Sequence, residues 1–324
     1  MTAIRAFFDG FGRASGAWRL VLLLWLVNLA VAAPFAAAMA RALQDSVGHS
    51  LVHRNLLERF DTGWHGELQA GAQGVVETFR PEVLGAGAFF DSLERWWTGG
   101  LLALPPVLVG TGIVYALVWA FLLGGVIERL HRPGEGAWAD RATRAPGFFE
   151  ACGRHFLRFV RLGIVAAVLY LLVYRLSRAA FSFLEDSLRD VTSERTALLW
   201  TLVGAAVTVL LLAGVRVVFD YAKISVVARQ RRSALGAAWE GLRLVAARPF
   251  ATLGLYAAYG LLGAGLLALY ASLTPALGQT SGQAGWSAAL LALAAGQLAI
   301  VVRVGLRLAL LGGEVSFFGR ARRR

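Results

Sequence analysis

Long apolar runs alternate with shorter polar segments along the chain, and the lengths of the runs predict most of its structure. A helix needs roughly 20 apolar residues to cross a bilayer. Six runs reach or approach that length, and we interpret each as a transmembrane helix: residues 20–40, 101–127, a run that begins near 162, 197–227, 250–273 and 287–311. The pattern predicts an all-α, polytopic transmembrane helix bundle of six spans, with residues 1–324 forming a single integral membrane domain.

The polar segments alternate in charge. Arginines cluster in two cytoplasmic basic amphipathic segments, 128–161 and 228–249, and again at the C-terminus. By contrast, residues 41–98 carry more acid than base, and residues 274–286 carry no charge. Positively charged loops remain on the cytoplasmic side of a membrane. We therefore predict a multi-pass protein of the bacterial inner membrane with both termini in the cytoplasm and residues 41–98 as an external helical insert.

Composition agrees with this class and limits the function. Hydrophobic residues make up 57% of the 324 residues and charged residues only 16%, against about 25% in soluble proteins. The net charge is +12, and the basic residues cluster between the apolar runs. This arrangement favours contact with anionic lipid over contact with nucleic acid. The single cysteine excludes an internal disulfide and a thiolate metal cluster.

Three cytoplasmic segments resemble one another. The letters FFDG at 7–10, FFEA at 148–151 and AWEG at 238–241 each precede an arginine and then a pair of spans. We interpret each segment as an amphipathic helix in the inner interface, the first covering residues 1–19. One interpretation is three tandem repeats of interfacial helix plus transmembrane hairpin. The other is that helices entering a membrane share aromatic, acidic and basic residues for physical reasons alone.

Several of these stretches carry a resemblance to known proteins. FLLGGVIERL, GFFEACGRHFLRF and DYAKISVVARQRRSALGAAWEGLR resemble an uncharacterised family of bacterial six-span integral membrane proteins. They are also loosely similar to the membrane domain attached to some glycerophosphodiester phosphodiesterases. The resemblance covers most of the chain after residue 100. It implies the topology and no activity, because the sequence lacks the catalytic domain's His/Glu set followed by a barrel pattern.

Arg303 and Arg307 stand inside the last apolar run, where charge is costly. Counted from the inner end of that run, Arg303 lies roughly 14 Å deep, close to the roughly 12 Å of Asp220 in the fourth run. The sequence therefore predicts an intramembrane polar cluster that pairs Asp220 with Arg303, closed from below by two glutamates. Its six members are Arg216, Asp220, Arg303, Arg307, Glu128 and Glu314.

Two interpretations of this cluster remain open. Buried Arg–Asp pairs stabilise contacts between helices, and Asp220 would lie at the interface if the fourth span ended early. Alternatively, a surplus of arginines suits an anionic guest such as a lipid phosphate. We predict a non-enzymatic scaffold or lipid- or partner-binding component, without cofactor, whose partners are anionic lipids and a second copy or another membrane protein. The alternative is a transporter or permease-like protein for an anionic or amphiphilic solute.

The external insert contains one weak metal-binding pattern. Asp45, His49 and His53 follow one another at four-residue steps on one helix face, and two histidines four apart are a known metal-ligand spacing. A polar helix face produces the same pattern, so a helical cap on the outer surface is the competing interpretation. A metal-dependent membrane enzyme would depend on these histidines alone.

Overall fold

A computed structural model describes residues 2–48, 62–72, 74, 76–78, 96, 106–131, 145–189, 193–278 and 286–321. Within these ranges the chain forms helices and short turns, with no strand, which confirms the all-α class. A 3₁₀ turn spans Val76–Thr78. The α-helices are α1 (Thr2–Ser15), α2 (Trp18–Gly48), α3 (Thr62–Ala70), α4 (Pro106–His131), α5 (Ala145–Leu188), α6 (Glu194–Ala228), α7 (Ala234–Ala247), α8 (Pro249–Gly278) and α9 (Trp286–Ala321).

Five helices in the described part of the chain are long and apolar enough to cross a membrane. They are α2, most of α4 (Val109–His131), most of α5 (Gly147–Leu188), α6 and most of α8 (Pro249–Leu273). The sixth predicted span, residues 287–311, lies in α9, which is helical over 36 residues but is not among these five. Five long apolar helices indicate a membrane-embedded helical bundle, and the sixth span stays a prediction.

Two helices run past the boundaries that the apolar runs predict. α2 continues to Gly48, so residues 41–48 of the predicted external insert extend the first span. α5 joins the predicted interfacial segment to the third span in one helix of 44 residues. No proline interrupts α5 between the two parts, so nothing in the local sequence ends the helix there.

The buried core lies at one end of the bundle, where α4, α6 and α9 end. Its largest enclosed side chains include Ile127 in α4, Tyr221 in α6 and Phe317 in α9. Elsewhere the spans expose apolar side chains, as Leu210 does with 67% exposure. An outward apolar surface of this kind is stable only against lipid or another protein. The buried packing between helices is therefore concentrated at this end of the bundle.

Three helical segments complete this packed end. α1 packs chiefly on α9, the start of α5 packs on α4, and α7 packs on α6. Glycine permits the backbones to touch at two of these crossings. A Cβ added to Gly10 would lie 2.3 Å from the carbonyl oxygen of Ala309, and one added to Gly241 would lie 2.3 Å from that of Val218. Because α1 packs on α9, the two ends of the chain meet in the core.

Candidate functional site

The C-terminal part of α6 carries a charged cluster around Asp220, a buried residue. The Lys223 ammonium lies 2.6 Å from the Asp220 carboxylate, and the Arg216 Nε lies 3.9 Å from it. Spacings of three and four residues place all three side chains on one side of the helix. Asp220 therefore obtains its charge balance from its own helix, chiefly from Lys223.

A second helix contributes to the same carboxylate. The Tyr256 hydroxyl of α8 donates a hydrogen bond to Asp220 Oδ2. A buried carboxylate is stable only when opposite charges and hydrogen-bond donors replace the water it has lost. Lys223 and Tyr256 supply those partners, and the contact of Tyr256 connects α8 to α6.

Glu314 of α9 lies beside this cluster and has no exposed surface. Neither of its carboxyl oxygens has a hydrogen-bond partner among the described residues. It stands three residues past the predicted inner end of the sixth span. Burial, together with the nearby charge of Asp220, raises the pKa of the Glu314 carboxyl well above its usual range. A protonated, neutral carboxyl is the form that this environment tolerates.

The predicted pair of Asp220 and Arg303 is not among the contacts of the described helices, and Arg303 is exposed. The physical reason is the rotation of α9 about its axis. Val304, Leu308 and Leu311 form the buried face, whereas Arg303 precedes Val304 by one residue and so points about 100° away. The equal depth predicted from the sequence did not imply a shared face.

Arg307 is also exposed, but its guanidinium has a partner. It lies over the ring of Trp119 in α4, 4.3 Å from the ring centroid. An arginine on an aromatic face forms a cation–π contact. Arg307 therefore links α9 to α4 instead of joining the charges around Asp220.

Glu128 belongs to a different junction. Its carboxylate lies 3.9 Å from Arg154 Nη1 and 3.6 Å from His155 Nε2, so it connects the end of α4 to α5. Of the six predicted residues, the structure brings together Arg216, Asp220 and Glu314 and separates the other three. It adds Lys223 and Tyr256, which the sequence interpretation missed. Lys223 had a signal, being three residues after Asp220, whereas nothing local marks Tyr256.

The predicted metal-binding residues are only partly described. Asp45 lies in α2, near its end, whereas His49 and His53 lie outside the described residues. In the described ranges, no group of three or more histidine, cysteine or acidic side chains is arranged to hold a metal ion. The metal hypothesis stays a prediction.

A second candidate surface is formed by α1, the start of α5 (residues 145–161) and α7, together called the interfacial segments. Each exposes a bulky apolar side chain: Phe8 is 66% exposed, Phe149 47% and Trp239 67%. Each also exposes an arginine, namely Arg5, Arg154 and Arg243. Apolar and cationic side chains next to each other are typical of helices that lie at a membrane surface.

The interfacial segments are tied to the ends of the spans by arginines. Arg13 of α1 donates a hydrogen bond to the carbonyl oxygen of Leu130 in the last turn of α4. Burial lowers the pKa of the Arg13 guanidinium. Arg158 of α5 donates to Gln230 Oε1, just after α6, over 3.2 Å. These contacts hold α1 and the start of α5 at this end of the bundle, and the ion pair of Glu240 with Arg229 holds α7 there.

Comparison with known proteins identified no relative of this chain. Nothing among family models, curated proteins or solved structures matches the chain. The resemblance to six-span bacterial membrane proteins therefore stays a prediction from the sequence.

Proposed function

We propose that this chain is a six-span protein of the bacterial inner membrane that binds anionic lipid at its cytoplasmic face, as a scaffold or lipid-binding component. One observation carries the proposal: each interfacial segment combines exposed apolar side chains with an exposed arginine, at one end of the bundle. The apolar groups favour the acyl boundary, and each arginine near an anionic leaflet contributes about 1 kcal/mol.

The charge pattern supports assigning this end of the bundle, which carries the interfacial segments, to the cytoplasmic side. Arginines are dense in the segments after α4 and after α6, and at the C-terminus. The positive-inside rule assigns such segments to the cytoplasm. α9 then crosses the membrane as the sixth span, because α8 enters from the inner side and the basic C-terminus must return to it.

Matching contacts in α1 and α7 support a tandem repeat. The alternative is that helices entering a membrane share residue types for physical reasons alone. Gly10 crosses α9 at Ala309, and Gly241 crosses α6 at Val218. The acidic residue before each glycine forms the same type of ion pair. Asp9 pairs with Arg320 near the end of α9, and Glu240 pairs with Arg229 just after α6. Shared composition would not require the same contacts at both junctions.

The alternative function, a transporter for an anionic or amphiphilic solute, depended on a buried arginine cluster. Arg303 and Arg307 are exposed on α9, and only Arg216 lies near Asp220. The geometry therefore supports lipid binding better than solute passage past these arginines.

Lipid retention by the full-length protein tests the function. The protein is reconstituted in nanodiscs of phosphatidylglycerol and phosphatidylcholine, and the lipids that remain bound on release are counted by native mass spectrometry. We expect phosphatidylglycerol to be enriched over its share in the nanodisc. Retained lipid with the composition of the bulk would contradict the proposal.

Labelling with a membrane-impermeant maleimide tests the orientation independently. The only cysteine is first removed by Cys152→Ala, and single cysteines are introduced by Ser15→Cys at the end of α1 or Ser187→Cys at the far end of α5. In intact spheroplasts we expect labelling of the Ser187→Cys variant only. Labelling of the Ser15→Cys variant instead would reverse the topology.

A further inference from the structure

A cavity of about 370 Å³ opens between α7, the turn that precedes α7 and the end of α9. We call it the basic cavity, because four arginines and a single acidic residue line it. Its polar and aromatic lining includes Arg229, Arg231, Arg243, Arg248, Glu240 and Trp239. No interaction around Asp220 uses these residues, so the cavity is distinct from the cluster described above.

The charges in the basic cavity are only partly balanced. Glu240 pairs with Arg229 over 2.8 Å and with Arg231 over 2.9 Å. In the described ranges, neither Arg243 nor Arg248 forms an ion pair. One carboxylate therefore faces four guanidinium groups. Guanidinium groups bind phosphate oxygens through two parallel N–H donors, which makes a surplus of arginines in a concave site suited to a phosphate group.

The turn that carries Arg229 and Arg231 has an unusual backbone. Gln230, between them, has a φ of 51°, in the left-handed region that non-glycine residues seldom adopt. Its side chain is held from both directions: Arg158 Nη1 donates to Gln230 Oε1, and Gln230 Nε2 donates to the carbonyl oxygen of Val227, each over 3.2 Å. A strained residue maintained by surrounding contacts often marks a functional site.

The first turn of α7 also faces the basic cavity. Ser233 caps this helix by accepting a hydrogen bond from the Gly236 N–H over 3.2 Å, and Gly236 lines the cavity. The N-terminal end of a helix carries partial positive charge, which adds to that of the arginines.

The remaining walls of the basic cavity are apolar. Leu244 of α7 and Phe318 of α9 contribute to the lining, together with the exposed Trp239. A site that combines guanidinium groups with apolar side chains matches an amphiphile with a phosphate headgroup. The same guanidinium groups would also accept a small soluble phosphate ester.

We propose that the basic cavity is a binding site for a phosphate group, carried either by the headgroup of an anionic phospholipid or by a soluble phosphate ester. The lipid form of the proposal rests on the proposed function, because it requires this end of the bundle to face an anionic leaflet. The soluble form requires only that the cavity open to the cytoplasm.

Two variants of the full-length protein test the site. The cavity variant combines Arg243→Gln and Arg248→Gln. The control variant combines Arg195→Gln and Arg232→Gln, which remove the same charge from exposed positions that do not line the cavity. Binding of phosphatidylglycerol is titrated by native mass spectrometry, and binding of glycerol phosphate and inorganic phosphate is titrated by calorimetry in phosphatidylcholine nanodiscs.

We expect the cavity variant to bind the phosphate group about tenfold more weakly than the wild type, and the control variant to stay near it. Weakening in the phosphatidylglycerol arm alone identifies a lipid headgroup as the source. Weakening in the soluble arms alone identifies a soluble phosphate compound. Equal binding by the cavity and control variants in every arm would overturn the proposal.

One fallback variant and two outcomes of the same titrations separate the possible failures. Should the double variant fail to fold, Arg243→Gln alone is used, because this exposed side chain has no ion pair to lose. If wild type and control variant show no preference for phosphatidylglycerol over phosphatidylcholine, the proposed function fails. If that preference persists unchanged in the cavity variant and no soluble phosphate binds, only the cavity site fails.

Discussion

The ammonium of Lys223 lies 2.6 Å from the carboxylate of Asp220, three residues earlier in α6. Lys223 is the only lysine of the chain, and Asp220 is buried. With Tyr256 of α8 donating to the same carboxylate, this pair connects two helices at the packed end of the bundle. Asp220 is therefore satisfied without the arginines of α9.

Removing Lys223 should lower the free energy of unfolding, because Asp220 is buried and would lose its main charge partner. We expect Lys223→Met to destabilise the protein by about 3 kcal/mol, because an unpaired charge would remain inside the bundle. The double variant with Asp220→Asn should recover most of that loss. Arg216→Met is the matched control: its side chain is 59% exposed and its Nε lies 3.9 Å away, so the cost should stay below about 1 kcal/mol. Unfolding in a denaturing detergent series measures all three, and a double variant as unstable as the single one would contradict the pairing.

The two arginines of α9 should differ in their contribution to stability. Arg307→Gln removes the contact with Trp119 and should cost about 1 kcal/mol. Arg303→Gln should change the free energy of unfolding by less than about 0.5 kcal/mol, because Arg303 contacts no acidic partner in the described structure. The same detergent series compares them. A larger loss for Arg303→Gln would restore the pairing of Arg303 with a buried acid.

Glu314 should make the stability of the protein depend on pH. Its pKa is raised in the folded state, so the folded protein holds this proton more tightly than the unfolded chain. The resulting stability is fully present below the ordinary carboxyl range and is lost as pH rises from that range toward the raised pKa, by up to about 1.4 kcal/mol per pH unit. We expect Glu314→Gln to remove this dependence in thermal melts between mildly acidic and alkaline pH. Glu185→Gln, at an exposed carboxyl of α5, is the control, and an unchanged slope in Glu314→Gln would argue against a neutral buried acid.

The crossing of α1 and α9 should tolerate no side chain at Gly10. A methyl group there would lie 2.3 Å from both the Ala309 carbonyl oxygen and the Tyr259 hydroxyl. We expect Gly10→Ala to cost about 1–3 kcal/mol from overpacking. Gly12→Ala is the control on the same helix, since nothing lies within 4 Å of its added Cβ, and helix propensity should make it neutral or stabilising.

If the chain contains a true repeat, the equivalent glycine of α7 should respond in the same way. A Cβ on Gly241 would lie 2.3 Å from the Val218 carbonyl oxygen, so Gly241→Ala should also be destabilising by about 1–3 kcal/mol. Thermal melts of the two variants, with Gly254→Ala as an open-space control, provide the comparison. A neutral Gly241→Ala would remove one of the contacts that support the repeat.

The polar cluster shows where inference from the sequence ended. Depth along a helix follows from counting residues, which placed Asp220 and Arg303 at one level. Partnership also depends on rotation about the helix axis, and α9 turns Val304 and Leu308, not Arg303, toward the bundle. Tyr256 could not be found at all, because its contact with Asp220 depends on how α8 packs against α6.

By itself the sequence determined the class of this protein, a bundle of long apolar helices with its arginines concentrated between them, because run length and charge are properties of the chain read in order. Only the tertiary structure decided that α1 packs on α9, that Tyr256 of α8 donates to Asp220 of α6, and that four arginines surround one cavity. Those outcomes depend on which faces of distant helices pack together. Side-chain volumes at the crossings, such as the missing Cβ of Gly10 against Ala309, decide that packing, and no local pattern contains it.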